Sequence, residues 1–241
     1  MSRAGLSHGR VALVTGSARG IGRATAQALA ASGHIVVGVD ILGQSAGPVA
    51  RPMRLDLSDV AAVSELCRTV GHVDVLVNNA ALLIERPLVE ISLDDFERMV
   101  AVNQRAAFQL CQGLTAGMRD RGWGRIVNVA SVGARTGGVT HSGVYAMTKA
   151  ALVTLSKSFA RELGPYGVTV NAVAPGLIDT PMSQAQEERD PGFHERSAGQ
   201  GALRRWAAPE EVASVIDFLA SDRASFVTGA TIDVNGGWFM Y

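Results

Sequence analysis

The chain has 241 residues, 47% of them hydrophobic, and its 22 basic and 22 acidic side chains balance to a formal charge of zero. That length suits one sizeable α/β domain, which buries roughly 70–75% of its unfolded surface and needs no disulfide or metal to hold it. A neutral chain has no global field for nucleic acid or an anionic membrane, no window approaches the ~18 apolar residues of a membrane span, and the opening MSRAGLSHGR lacks the apolar stretch of a signal peptide, so a cytoplasmic protein is expected.

Apolar runs and helical patterns alternate along the chain. Residues 11–15 form a short β-branched run, and residues 20–32 follow with Ile21, Ala24, Ala28 and Leu29 on one helical stripe. A second solid run, 35–39, ends in Asp40. Further strands are expected at 73–77, 125–129, 168–173 and 231–234, and helices at 60–70, 93–118, 145–163 and 209–220. Cys67 and Cys111 both fall in these helices without flanking histidines, which predicts buried small hydrophobes in a reducing compartment and no metal site. Strands apolar on both faces, each followed by a helix, imply a doubly wound parallel sheet of about seven strands covered on both sides. Two stretches break the rhythm. Residues 41–54 hold Gly43, Gly47, Pro48 and Pro52 and are too short for a full crossover helix. Residues 183–201 are polar and glycine-rich, predicting a mobile loop or short helices.

The first strand runs into Thr15-Gly16-Ser17-Ala18-Arg19-Gly20-Ile21-Gly22. Gly16 permits a tight turn, Gly20 lets backbone approach a pyrophosphate, and Gly22 lets helix and sheet pack closely. The helix start then offers free N–H groups and a positive dipole end to phosphate. Asp40 stands 24 positions after Gly16 at the end of the second strand. A carboxylate there accepts from both adenine-ribose hydroxyls and repels a 2′-phosphate, so NAD is expected over NADP. Arg19 is read two ways, as a partner for a 2′-phosphate or as a solvated first-turn residue.

Tyr145 and Lys149 lie four apart at the start of a helical stretch, on one face. An ammonium near a phenol favours phenolate and proton exchange with substrate. Ser131 follows a strand, at the carboxyl edge where open α/β sheets bind ligands, and Asn103 is an unfavourable residue inside a helix. Each has an ordinary structural explanation alone; the ordered set gives them weight.

On these residues the chain resembles the shorter, single-domain branch of the short-chain dehydrogenase/reductase family, from about Gly9 to Trp238. TGSARGIG at 15–22 matches the family's cofactor turn, Asp56-Leu57 its adenine-contacting pair, and Asn78-Asn79-Ala80-Ala81 its NNAG segment, with Ala81 in place of the last glycine. Asn103, Ser131, Tyr145 and Lys149 match the catalytic tetrad. Pro175-Gly176-Leu177-Ile178-Asp179-Thr180 matches the segment whose Ile and Thr contact nicotinamide, and Asp233–Gly237 the terminal strand. The 14 positions from Ser131 to Tyr145 are one more than usual, suggesting an insertion within 133–143. The resemblance implies a single NAD(P)-binding Rossmann domain over 1–241, with a substrate lid at about 182–206. Its dinucleotide contacts are Gly16, Ser17, Arg19, Gly20, Ile21, Gly22, Asp40, Asp56, Leu57, Asn79, Ala80, Tyr145, Lys149, Pro175, Gly176, Ile178 and Thr180. Tyr145 acts as general acid or base with Lys149 lowering its pKa, Ser131 holds the substrate oxygen, and Asn103 links Lys149 to solvent through a backbone kink and a water.

The expected activity is hydride transfer between NAD(H) and a small secondary alcohol or ketone, such as a polyol, sugar, hydroxy acid or cyclic alcohol. By position, Ser131, Val132, His141, Tyr145, Leu177 and Trp206 line the substrate pocket, with Arg135, Val139 and Met182 as further candidates. A rival within the class is an NADPH-linked 3-oxoacyl-carrier-protein reductase, against which stand Asp40 and the neutral charge; from another class, a dinucleotide sensor without catalysis is disfavoured by intact Tyr145 and Lys149. A sugar-nucleotide epimerase would need a second substrate domain. The bulky end, Trp238-Phe239-Met240-Tyr241, packs either on its own core or on a neighbouring subunit. The resemblance implies a homotetramer, or a homodimer, with the helices at 94–118 and 145–163 in one interface and the last strand in another.

Overall fold

The computed structural model describes residues 9–44, 47–139 and 141–240. Val11–Thr15 (β1) leads into Gly20–Ala31 (α1) and Ile35–Asp40 (β2). Arg51–Arg54 (β3), Val60–Thr69 (α2) and Val75–Asn78 (β4) follow. Leu93–Val100 (α3) and Ala106–Asp120 (α4) are separated by a π-helical segment, Ala101–Arg105. Next come Gly124–Val129 (β5), the short Gly133–Thr136 (α5), Gly143–Leu163 (α6) and Val168–Pro175 (β6). Pro181–Arg189 (α7), Phe193–Ala198 (α8), Pro209–Ala220 (α9) and Thr231–Val234 (β7) complete the chain.

The strands form one parallel sheet in the order β3-β2-β1-β4-β5-β6-β7. Because successive side chains of a strand point to opposite faces, β1 feeds two cores at once. Val11 and Leu13 join Leu66, Leu110, Met118 and Leu163 under α2, α4 and α6. Ala12 and Val14 join Leu29, Val212, Ile216 and Leu219 under α1 and α9. Burial on both faces is why these strands read as solid apolar runs. The chain winds outward in opposite directions from β1 and β4, so their carboxyl ends open a crevice at the switch point, where doubly wound sheets bind ligands.

Two features depart from the sequence reading. The expected strands omitted β3, whose sequence is Arg-Pro-Met-Arg. It pairs on one side only, with β2, and Pro52 and charged side chains are tolerated on such an edge. The stretch at 93–118 is not one helix, since the π segment interrupts it at Asn103. The crossover before β3 is short, as expected, with no helix among its described residues, and 183–201 folds into the end of α7 and α8.

Candidate active site

The crevice is a cleft of about 550 Å³ running from the glycine turn and Asp40, past Ser131, Tyr145 and Lys149, to α7 and α8. Its first wall is built from the end of β1. Thr15 Oγ1 accepts the backbone N–H groups of Asn79 and Ala80, both at 3.0 Å. Asn79 returns its side-chain amide to the carbonyls of Thr15 and Gly16 at 2.8 and 3.2 Å. These bonds lock the turn against the end of β4. Gly16 sits at φ +67°, and a Cβ there would lie 2.9 Å from the Ala80 Cα, so the turn accepts no side chain. At Gly22 a Cβ would come within 2.0 Å of the Gly16 carbonyl oxygen. The start of α1 carries no side-chain cap and no acid in its first turn, leaving its N–H groups and dipole open to an anion.

Asp40 is 8% exposed. One of its oxygens accepts from Ala18 N–H and the other from Leu42 N–H, both at 2.9 Å. Each oxygen keeps a further lone pair and Asp40 lines the cleft, so the carboxylate offers the two acceptors that the hydroxyls of a vicinal diol require. An open helix start, a glycine cradle and a carboxylate in that order fit a dinucleotide.

At the middle of the cleft, Lys149 is 1% exposed and its Nζ donates to the Val129 carbonyl at 2.6 Å. Burial pushes the amine down to about 7. Nζ lies 5.6 Å from the ring centroid of Tyr145. Tyr145 leaves part of its surface open to the cleft, and burial pushes its phenol up to about 12. The resemblance implied a phenol lowered by the ammonium; in this geometry burial is the cause that acts on the phenol, and it raises it. Ser131 lines the cleft and its Oγ accepts from Gly133 N–H at 3.1 Å.

Asn103 stands behind this row, buried at 1% on the π segment. Its Oδ1 accepts from Leu82 N–H at 2.7 Å, and its Nδ2 donates to the Leu82 carbonyl at 2.9 Å and to Thr148 Oγ1 at 3.0 Å. Thr148 in turn donates to the Tyr145 carbonyl at 2.7 Å. The Asn103 side chain therefore ties the segment after β4 to the first turns of α6, where Tyr145 and Lys149 reside.

Most of the sequence-predicted contacts line the cleft: Gly16, Arg19, Gly20, Ile21, Asp40, Asp56, Leu57, Asn79, Ala80, Tyr145, Lys149, Pro175, Gly176, Ile178 and Thr180. Ser17 and Gly22 do not. The Ser17 hydroxyl donates to Gln44 at 2.9 Å, and Gly22 is a packing position. Of the substrate candidates, Ser131, Val132, Val139, Tyr145, Leu177, Met182 and Trp206 line the cleft. His141 does not; it is exposed at φ +60°, its carbonyl accepting from Arg86 N–H at 3.1 Å. Arg135 does not line it either, and faces Asp233 at 4.0 Å. Trp238 lines the cleft from within its own chain, its Cβ near Gly201, and Tyr241 lies outside the described residues.

Leu82, Leu83, Glu85, Gln186 and Phe193 also line the cleft and were missed from sequence. Leu82, Leu83 and Glu85 come from a loop, Gln186 from the polar helix α7 and Phe193 from the short helix α8, where no periodicity marks an inward face. The polar ladder Asn78–Asn128–Ser156 inside the core, with bonds of 2.8 Å, had a visible signal: asparagines within otherwise apolar strands. Among the described residues no cluster of His, Cys, Asp or Glu could hold a metal, and no helix is long and apolar enough to cross a membrane.

A family model described as enoyl-(acyl carrier protein) reductase matches residues 16–239. The chain is 39% identical to a 3-oxoacyl-(acyl-carrier-protein) reductase of Aquifex aeolicus over 96% of this chain and 98% of that one. It is 42% identical to L-xylulose reductase of Bos taurus over 95% and 96% of the two chains. Among solved structures, a 3-oxoacyl (acyl-carrier-protein) reductase from Agrobacterium tumefaciens with NADP bound superposes with a TM-score of 0.88 at 34% identity, over 96% and 95% of the chains.

Proposed function

The chain belongs to the short-chain dehydrogenase/reductase family, and we propose that it is an NAD-linked oxidoreductase acting on a small secondary alcohol or its ketone. One observation carries the reading: Tyr145, Lys149 and Ser131 open onto the same cleft as the glycine turn and Asp40. The turn at 16–22 and the start of α1 would hold the pyrophosphate, Asp40 the adenine ribose, and Ile178 and Thr180 the nicotinamide end. When bound, the dinucleotide supplies or accepts the hydride.

The protein's own part is to orient the substrate and move a proton. Ser131 and Tyr145 hold the substrate oxygen between two hydroxyls. With burial keeping its phenol protonated, Tyr145 is set to donate that proton to a carbonyl oxygen as reduction proceeds, and to recover it in the reverse direction. Lys149 supports the ribose and lies where a charge can develop near the phenol. Asn103 positions α6 through Thr148. The substrate end, lined by Val132, Val139, Leu177, Met182 and Trp206, gives the reacting carbon a mainly apolar wall. We further propose a cytoplasmic homotetramer, consistent with two free cysteines and with exposed Phe108 and Phe226.

A second reading, an NADPH-linked reductase of 3-oxoacyl thioesters, draws support from the reductase relatives, from the NADP bound in the Agrobacterium structure, and from Arg19 at the cleft wall. Initial rates with NADH and NADPH at equal concentration, against panels of ketoses, cyclic ketones, oxo acids and a 3-oxoacyl thioester, separate the two. The expected result is faster reduction with NADH, and an Asp40→Ala variant whose kcat/KM with NADPH rises about tenfold or more once the repelling carboxylate is gone. A wild-type preference for NADPH sinks the NAD assignment.

A further inference from the structure

The helix α7 covers the substrate end of the cleft, yet its one buried residue is Ser183, so no apolar anchor holds it there. What holds it is polar. Glu85, on the segment after β4, has a side chain 16% exposed and lines the cleft. One of its carboxylate oxygens accepts from Gln186 Nε2 at 3.0 Å and the other from Arg189 Nη2 at 2.5 Å. Gln186 and Arg189 are three apart, on one face of α7, so a single carboxylate grips both. The gripping side is itself fixed. Arg86 N–H donates to the His141 carbonyl, and its guanidinium faces Asp95 at 3.4 Å. At its other end, α7 begins beside Thr180, whose side chain caps it and lines the dinucleotide half of the cleft. Met182 and Ser183 line the cleft between these two attachments, and Gln186 lines it at the second. Glu187 extends the hold to α8 by accepting from Gly192 and His194 N–H, both at 2.7 Å.

We infer that Glu85 is a positioning residue for the reaction: its carboxylate clasps α7 through Gln186 and Arg189 and so sets the closed wall of the substrate site. The inference rests on the hydride-transfer reading for its kinetic consequence, but not for its structural one. Arg189 is 60% exposed, so the clasp is screened by water and weak enough to open in each turnover. Closure strengthens substrate binding in ground and transition states alike, so its loss raises KM and spares kcat.

The test compares Glu85→Ala, Glu85→Gln and Arg189→Ala with wild type by amide hydrogen exchange over residues 181–198 and by ketone-reduction kinetics. Glu85→Ala is expected to speed exchange across α7 and to raise the ketone KM about fivefold, with kcat unchanged or higher and the dinucleotide KM within about twofold. Glu85→Gln, which still accepts from Arg189, should recover part of the loss. Added salt should raise the wild-type KM toward that of Arg189→Ala and leave Arg189→Ala itself unmoved. Unchanged exchange in Glu85→Ala overturns the clasp, and so does faster exchange with an unchanged ketone KM. If wild type reduces no ketone with either dinucleotide, the hydride-transfer reading fails, and exchange in the free protein still decides whether Glu85 holds α7.

Discussion

Lys149 is the least expected resident of the interior, a long amine at 1% exposure whose Nζ meets the Val129 carbonyl. Its pKa in the folded chain, about 7, lies below the ordinary value of 10.5. Between those values the folded chain binds fewer protons than the unfolded one, so the amine's burial makes stability rise with pH across that window. Below it both states carry the proton and the burial penalty is felt in full. Lys149→Met should therefore unfold at a higher temperature than wild type at about pH 6, with the advantage shrinking by about pH 9. Thermal melts of the dinucleotide-free protein across that range check this, and a difference flat with pH counts against it. Tyr145 makes the complementary case. Removing its hydroxyl leaves the ring's packing and the glycine turn in place. Tyr145→Phe should bind NADH within about twofold of wild type while kcat falls ~10³-fold, the scale of a lost proton donor. Fluorescence titration and initial rates decide it; near-normal turnover removes Tyr145 from the chemistry.

At the scale of elements, the π segment Ala101–Arg105 does what a regular helix could not. Such a bulge adds a residue to one turn, and the surplus residue here turns Asn103 inward between Leu82 and Thr148. Asn103→Ala leaves the half-buried N–H and carbonyl of Leu82 without this partner and removes the buried bond to Thr148, at a cost of about 2 kcal/mol, or a Tm lower by about 4–8 °C at this chain length. A variant melting within about 1 °C of wild type would show that Asn103 holds nothing together. The break itself was not legible in the sequence, because it depends on partners 21 and 45 positions away. The strands β1, β2, β5 and β6 were legible, since helices on both faces demand apolar residues at most positions. For β3 the same logic fails: an edge strand needs one partner and tolerates Arg51, Pro52 and Arg54. The cleft divides the same way. Glycines, Asp40, Tyr145 and Lys149 sit at fixed offsets from regular elements and could be placed by counting. His141 could not, because a left-handed φ of +60° carries it out of the cleft wall, and Glu85 meets partners 101 and 104 positions away.

For the whole molecule, the apolar surface left in water is the fact that asks for a partner. Phe108 on α4 is 45% exposed and lies 6.3 Å from Phe159 of α6, with Met147 of α6 exposed as well. A second set of exposed side chains is Phe218 on α9 and Phe226 and Met240 on either side of β7 in sequence, with Phe226 fully exposed. Trp238 belongs to neither, because it is spent on the chain's own cleft. A two-fold axis through either set would bring it against its own copy, and two such axes generate a closed tetramer. Burying each set against a copy removes patches that a monomer rarely leaves open. Light scattering on the eluting protein should give the mass of four chains. Phe108→Glu and Phe226→Glu should each reduce that to two chains through different interfaces, and together to one. Wild type eluting as a stable monomer would instead mean that these phenylalanines face water in the working enzyme.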